Sequence, residues 1–359
     1  MADTDFNSGI SRVGLKFWDA ISARDIPLLR QLFAEHPEQI DAHSGIAGGT
    51  LLHYACSRGS LDAVRLMVEL GCDVNRSSTL DGHLPIDNAA SVANVEIVEF
   101  LIAAGSSLDV SSGASNPLYG AIIAGRGHTE HWNMIRAPHV AELLLRAGLD
   151  YKQQHPKKGR TENALKKAWD WGAREIHELI GCWDKDVSAG REPELPFTCA
   201  MYRALTDQDL RRVEALFAAQ PDHLQKGDGL FDNEQTAFGS WLHAAAINAS
   251  PEIAAFFIDR GFKVDAKSQD VTPLWMAARN DNVPMIAYLL DRGADPRSSA
   301  KFNPLLVAIG RESTAAVELL LAAGASTTKG FYKTDAIGFA RQGHHHAVLP
   351  LLENWPAKH

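Results

Sequence analysis

Three consecutive histidines near the C-terminus, His344 to His346, are the residues whose type most directly suggests metal chemistry, because imidazole is the commonest metal ligand in proteins. On a helix, adjacent side chains point about 100° apart, so three in a row do not converge on one ion. His128 and His131 flank a second, irregular segment. A structural role is favoured for both groups. The sequence therefore predicts no metal site and no cofactor, and a histidine-based metal-binding protein is kept as an alternative.

Motifs for catalysis are missing from the sequence. It contains neither a phosphate-binding Gly-x-x-x-x-Gly-Lys-Ser/Thr loop nor a Gly-x-Ser-x-Gly nucleophile turn. The pair His177-Glu178 lacks the second histidine that a zinc protease helix needs. No two cysteines have Cys-x-x-Cys spacing, and we expect reduced thiols, with the first two packed in the core: Cys56, Cys72, Cys182 and Cys199. We therefore predict no catalytic residues and no enzymatic activity.

The charge of the chain limits its partners. Its 359 residues carry a formal net charge of −9, which argues against a general nucleic-acid binder and favours a protein partner with a basic surface. We interpret the one basic cluster as a solvated edge: Lys157, Lys158, Arg160, Lys166 and Lys167. No signal peptide is evident and no apolar run reaches the ~18 residues that span a bilayer, so we expect a cytoplasmic protein without membrane contact.

The elements that position these residues recur along the chain as helix pairs. The first helix of a pair follows a capping residue, as in Thr50-Leu51-Leu52-His53, Ser240-Trp241-Leu242-His243 and Thr272-Pro273-Leu274. The second helix has apolar residues at i, i+3 and i+4 and stops at a glycine. These glycines are Gly71, Gly105, Gly148, Gly261, Gly293 and Gly324. Their spacing within each half of the chain lies between 31 and 43 residues.

This pattern resembles the ankyrin repeat, which has a period near 33 residues. The resemblance implies an all-α solenoid of about ten helix-turn-helix repeats that binds another protein. The signature histidine, which in the family bonds backbone groups of adjacent repeats, is present only at His53 and His243. Other residue types take its place, which suggests altered bonding between repeats: Asp87, Tyr119, Trp275 and Leu306.

The array is duplicated at a higher level, because Trp18 to Ile26 aligns with Tyr202 to Leu210. We expect an N-terminal tail over 1–13, a first array of about five repeats over 14–182 with an insertion near 126–138, a polar linker over 183–197, and a second array of about five repeats over 198–355. Two arrangements remain open: one continuous arc, or two arms hinged at the linker.

The resemblance also indicates which residues face a partner, since ankyrin proteins use the concave groove and the loop tips. The matching first-helix positions are Tyr54, Arg58, Asn88, Asn248, Arg279, Asn280 and Arg311, and the loop-tip positions are Arg76, Asp81 and His83. The insertion adds Trp132 and Arg136, because insertions in repeat proteins often lie on the binding face and these residue types are enriched in hot spots. The alternative is that the insertion folds back and buries Trp132.

Short repeats without fused domains are similar to bacterial stand-alone ankyrin proteins, some of which resemble immunity proteins that cap a toxin. An acidic inhibitor would associate rapidly with a basic toxin through electrostatic steering. The alternatives are a host-directed effector or a general scaffold. The sequence leaves the partner and the oligomeric state open.

Overall fold

A computed structural model describes the chain over most of its length. The described residues are 12–43, 48–111, 115–126, 132–153, 155–157, 160–220, 240–268, 270–297, 303–328, 334–343 and 345–355. Side chains are described within these ranges except at residue 12 and within 132–134, 155–157 and 160–162. The chain divides into two compact units, Met1–Cys199 and Ala200–His359.

The first unit is built from successive helix pairs. Its helices are α1 (Arg12–Ala23), α2 (Ile26–Glu35), α3 (Leu51–Arg58), α4 (Leu61–Glu69), α5 (Pro85–Ser91), α6 (Val95–Ala103), α7 (Pro117–Ala124), α8 (Trp132–Arg146), α9 (Ala164–Asp170) and α10 (Arg174–Ser188). A 3-10 helix, Pro37–Gln39, follows α2, and the short strands β1 (His155–Lys157) and β2 (Arg160–Glu162) pair antiparallel before α9. First helices pack on first helices and second helices on second helices, so the unit has two layers.

The second unit repeats this plan. Its helices are α11 (Phe197–Thr206), α12 (Leu210–Ala219), α13 (Trp241–Asn248), α14 (Pro251–Ile258), α15 (Pro273–Arg279), α16 (Val283–Asp291), α17 (Pro304–Gly310), α18 (Thr314–Ala322), α19 (Ala336–Gln342) and α20 (Leu349–Asn354). The division between the units falls inside α11. The predicted all-α architecture of about ten helix pairs is confirmed. Within the described ranges, no helix has both the length and the apolarity needed to cross a membrane.

Local sequence signals begin and end these helices. Side-chain oxygens of polar residues before the helices accept backbone N–H groups of the first turn, for example Asn94 to Ile97, Asn116 to Tyr119 and Asn163 to Lys166. The six glycines predicted to stop second helices all adopt left-handed backbone conformations, with φ between 86° and 94°. Only glycine takes this conformation without a steric penalty, so the predicted stops are confirmed.

The core of each unit lies between its two layers. Second helices of the first unit contribute Leu29, Met67, Val98, Leu144 and Ile180, and those of the second contribute Phe217, Phe257, Leu289, Leu320 and Leu352; each is at most 4% exposed. Cys56 and Cys72 are buried among such residues, as predicted. Burial raises the pKa of Cys72 to about 12, so this thiol stays protonated and unreactive.

Two expected loops are partly helical. Residues 183–188, placed by the sequence in the linker 183–197, continue α10 because Trp183 is buried and lies under Arg146, whose guanidinium carbon is 5.3 Å from the ring centroid. Residues 132–138 of the expected insertion form the first turns of α8, where Ile135 is buried. The array boundaries at 14–182 and 198–355 stay predictions.

The turn between the two helices of a pair repeatedly needs a left-handed residue. Gly59 fills this position after α3 with φ 67°, but most other pairs use a residue with a side chain. These residues have φ between 50° and 56°: Arg24, Ala93, Gln208, Asp281 and Glu312. A side chain in this conformation costs about 1–2 kcal/mol, so these turns are local weak points.

We expect Arg24→Gly to stabilise the first unit. Relief of left-handed strain exceeds the entropy that glycine adds to the unfolded chain, so the free energy of unfolding should rise by up to about 1 kcal/mol. Urea denaturation measures this change. Arg24→Ala removes the same side chain without relieving the backbone and is expected to give no gain. Equal midpoints for the glycine and alanine variants would contradict the interpretation.

Candidate functional site

At His53, Asp87 and His243, the third residue after the cap of a first helix bonds the following repeat. His53 Nδ1 accepts the backbone N–H of Thr50 at 3.1 Å, which requires the other ring nitrogen to carry the proton. His53 Nε2 then donates to the backbone carbonyl of His83 in the next repeat at 3.0 Å. One buried side chain therefore closes its own helix and fixes the following loop, which carries the predicted contact residues Asp81 and His83.

His243 performs the same role in the second unit. Its Nδ1 accepts the Ser240 N–H at 3.1 Å and its Nε2 donates to the Val271 carbonyl at 3.2 Å. Burial lowers the pKa of His243 to about 4, against the opposing effect of its bonded carbonyls. Burial also lowers the pKa of His53. Both imidazoles are therefore neutral structural groups, as predicted.

Asp87 occupies the equivalent position in the next repeat with the opposite polarity. Its Oδ2 accepts the Leu84 N–H at 2.7 Å and the Ser115 hydroxyl of the following repeat at 2.6 Å. A hydrogen bond to the next repeat is thus present in both cases: His53 donates to a backbone carbonyl, whereas Asp87 accepts from a hydroxyl group. Burial raises the pKa of Asp87, and the bonds from Ser115 and Leu84 work against that rise. Asp87 Oδ1 is buried and has no hydrogen-bond partner within the described part of the chain.

The fourth residue after each cap lies beside this scaffold on the first-helix layer. In the first unit these positions hold Tyr54, Asn88, Gly120 and Lys167. A Cβ atom at Gly120 would lie 2.9 Å from the Asp87 carbonyl oxygen and 3.0 Å from the Ser91 nitrogen. The missing side chain therefore allows α7 to approach α5 closely.

A depression of about 200 Å³ opens beside Gly120. Two predicted contact residues, Asn88 and His83, line it. Ile123, which is 37% exposed, contributes an apolar wall. Its complete lining is His83, Asp87, Asn88, Ser91, Asn116, Tyr119, Gly120 and Ile123. Gly120 and Ile123 line the depression but were not among the predicted contact residues. The available signal was a glycine at the position where neighbouring repeats carry Tyr54 and Asn88.

Aromatic and cationic side chains continue the layer beyond the depression. Lys167 Nζ lies 4.0 Å from the ring centroid of Tyr119 and 4.3 Å from that of Trp171. Arg126 also lies over the ring of Trp171, with its guanidinium carbon 4.7 Å from the ring centroid. Such cation–π contacts hold long side chains in place. Lys166, the neighbouring base, is exposed and pairs with Asp170.

The remaining predicted residues of the first unit are at or near the surface. Tyr54 is half-buried, stacks on Trp18 with ring centroids 4.2 Å apart, and bonds Ser22 Oγ at 2.8 Å. Arg58 and Arg76 are exposed, on α3 and on the loop after α4.

The loop tip that carries Asp81 is preorganised. Asp81 accepts the Ser78 hydroxyl and lies 3.4 Å from His83 Nδ1. This bonding holds the adjacent Leu80 at the tip, where it is 78% exposed.

The insertion differs from its prediction. Arg136 belongs to α8 in the second-helix layer, and its guanidinium pairs with Glu96 of α6 at 3.3 Å, so it lies away from the first-helix residues. Arg136 was predicted to lie in a loop, because Glu96 is far from it in the sequence and the pairing of the two residues is not evident there. The Trp132 side chain, together with His128 and His131, lies outside the described residues.

The predicted residues of the second unit lie on one layer but have scaffold contacts of their own. Asn248 is half-buried and its carbonyl accepts Gln208 Nε2 at 3.4 Å. Arg311 Nε donates to the carbonyl of Arg279 at 2.9 Å. Asn280 Nδ2 donates to the Met276 carbonyl of its own helix at 2.8 Å. The bonds of Asn248 and Arg311 join neighbouring repeats, and the bond of Asn280 lies within its own repeat.

The histidines near the C-terminus do not form a metal site among the described residues. His345 Nδ1 lies 3.7 Å from Glu312, and His344 is outside the described residues. In the part of the chain that the structure describes, no three His, Cys, Asp or Glu side chains are placed to hold a metal ion together. The side chains of Lys157, Lys158 and Arg160 are outside the described set.

Comparison with known proteins identifies the repeat. A family model described as ankyrin repeats matches residues 17–112, 201–300 and 242–329. Palmitoyltransferase ZDHHC13 of mouse (Mus musculus) is 44% identical over 59 residues, which is 16% of this chain and 10% of that protein. The proteins of that name from Homo sapiens and Pongo abelii match to the same extent. The chain thus spans 10% of the length of these curated relatives.

The buried histidine predicts how the second unit responds to acid. The pKa of His243 is about 4 in the folded chain and 6.5 when unfolded, so between these values the unfolded state binds more protons. The free energy of unfolding should therefore fall as the pH falls from 6.5 to 4, by roughly 3 kcal/mol in total. Hydrogen exchange of residues 240–275 measures it. His243→Gln should lose most of this pH dependence, and an unchanged dependence would contradict the assignment.

Proposed function

Because the chain belongs to the ankyrin repeat family, we propose that it is a non-enzymatic module that holds a protein partner against its first-helix face. This face comprises the exposed sides of the first helices and the loops before them. Ankyrin repeats are protein–protein interaction modules, and the first unit presents the richer set of contact groups.

One observation carries this proposal. At His53 and Asp87 the third residue after the cap bonds the next repeat, whereas the fourth residue of the same helices, Tyr54 or Asn88, stays partly exposed on the first-helix layer. The bonds that His53 and Asp87 make to the next repeat do not depend on these side chains. Polar and aromatic groups held on a rigid layer favour recognition, since little entropy is lost when a partner binds.

Alanine variants test the face. Arg58→Ala combined with Asn88→Ala should weaken capture of the native partner, because both residues lie on the first-helix layer and neither side chain is buried. Arg174→Ala, at an exposed arginine of the second-helix layer, is the matched control. Affinity capture from native cells, quantified by mass spectrometry, measures the change at equal melting temperature. Retention of the partner by the double variant would exclude this face.

For the partner itself, we propose a basic protein, specifically a toxin that the chain inhibits in the cytoplasm of a bacterium. The support is the net charge of −9, which steers a basic partner, and the acidic residue Asp81 beside the exposed Leu80. A host-directed effector or a general scaffold would share the binding face but would not neutralise a toxin.

Co-expression tests the inhibitor proposal. A toxin encoded beside the gene for this chain should lose its toxicity when the chain is produced with it, and the association rate should fall as salt is raised, because screening weakens steering. The Arg58→Ala, Asn88→Ala double variant serves as the comparison. Undiminished toxicity at equimolar expression would rule out inhibition of that toxin.

A further inference from the structure

We propose that the first unit associates with a second copy of this chain through the outer flank of α9, as an antiparallel pair with Trp169 at its centre. The outer flank consists of Lys166, Trp169 and Asp170 on α9 together with His177 on α10. Association of this kind is separate from the binding of a different protein and does not depend on it.

The outer flank is the side of the helix on which a following repeat packs. In α3 and α5 the third residue after the cap bonds the next repeat, and the sixth residue lies one turn further along the same side. In α9 the sixth residue is Trp169, which is 62% exposed. In six first helices that precede another repeat, the sixth residue is 0% exposed: Cys56, Ala90, Ile122, Ala246, Ala278 and Ile309.

The second helix of the same repeat is uncovered at the matching place. In α10 the fourth residue after the cap is His177, which is half-buried and whose ring centroid lies 5.2 Å from that of Trp169. In four second helices that precede another repeat, the fourth residue is 0% exposed: Val64, Val98, Ile286 and Val317. Both helices of this repeat therefore expose a position that is buried where another repeat follows.

The last repeat of the second unit has a different residue at this place. The sixth residue after the cap of α19 is Arg341, which is exposed and pairs with Glu353 at 2.7 Å. A charged side chain suits a terminal repeat, whose outer face meets water. Trp169 is instead a residue type that is enriched in interface hot spots, so the end of the first unit is suited to contact with another surface.

The charges beside Trp169 indicate that this surface is a second copy. Lys166 and Asp170 lie on the same stripe of α9, four residues apart, and both are exposed. Within one chain they pair with each other. When two copies of α9 lie antiparallel about a two-fold axis, Lys166 of each copy faces Asp170 of the other, and the tryptophan rings meet near the axis. The stripe is therefore complementary to itself.

The association is expected to be weak. The outer flank is short, because α9 has only seven residues, and a net charge of −9 on each copy opposes self-association. Each favourable contact occurs twice across the axis, however. We expect a dissociation constant on the order of 10 to 100 µM.

Sedimentation velocity of the full chain, from roughly 1 µM to roughly 1 mM, measures the association. The wild-type chain should change from monomer to dimer across this range. Trp169→Ala removes both central contacts and should weaken dimerisation about a hundredfold. Leu80→Ala removes a side chain that is 78% exposed on a loop of the same unit, so it controls for unspecific apolar association and should dimerise as the wild type does.

Charge reversal tests the antiparallel arrangement. Lys166→Asp and Asp170→Lys each place like charges opposite one another across the axis, and each variant alone should dimerise about tenfold more weakly. An equimolar mixture of the two variants should recover the wild-type association to within about threefold, because two carboxylates of one copy then face two ammonium groups of the other. A change confined to one chain does not produce this recovery, since each variant keeps its own like-charged pair.

Three results would overturn the proposal: a wild-type chain that stays monomeric over the whole range, unchanged dimerisation of Trp169→Ala, or no recovery in the mixture. Circular dichroism checks that each variant keeps its fold. A monomeric chain that loses its native partner in Trp169→Ala would assign the outer flank to that partner. Self-association would then be refuted, while the protein-binding function would stand.

Discussion

The stack depends on a hydrogen-bond relay at the start of its first helices. A helix leaves its first N–H groups without partners, and a single helix pair cannot bury its apolar face alone. His53 and His243 address both constraints, because one ring nitrogen caps the helix and the other binds the next repeat. Each such bond is worth only about 1 kcal/mol net, but its loss would leave buried groups unpaired. The relay therefore fixes the register in which apolar faces meet.

The opposite end of the repeat has a second link of the same kind. The Asn75 side chain accepts the Ser107 N–H at 2.7 Å, and the Asp265 side chain accepts the Asp295 N–H at 3.1 Å, each one repeat further along. Both links join a side chain to the backbone of the following repeat. Replacement of the signature histidine therefore keeps the link between repeats when the bonded group in the next repeat is replaced as well. Asp87 shows this, because a carboxylate needs the donor that Ser115 supplies where a histidine would need a carbonyl.

Local features of this protein could be predicted from its sequence, and long-range ones could not. Glycine stops and polar caps act within a few residues, so six of the second helices could be located from the residue pattern, and the family resemblance together with the duplication predicted about ten helix pairs. The role of His53 followed from the family resemblance. Arg136 was assigned to a loop because nothing near it in sequence reveals Glu96, forty positions earlier, as its ion-pair partner. The predicted linker starts at residue 183 because the residues after Trp183 are polar, as in a linker. In the structure the Trp183 ring is buried and α10 continues to Ser188.

Gly120 marks the limit of treating scaffold and surface as separate. The fourth position after the cap holds different residues in the two units: Tyr54, Asn88, Gly120 and Lys167 in the first, and Ala244, Met276, Val307 and Phe339 in the second, where Ala244 and Met276 are buried. At Gly120 the absent side chain lets α7 approach α5, because a Cβ there would lie 2.9 Å from the Asp87 carbonyl oxygen, and the same glycine lines the depression. Any side chain placed there would press on the backbone of α5. A residue that lines this part of the surface is therefore also required by the packing of the repeats, so the surface cannot vary there independently of the fold.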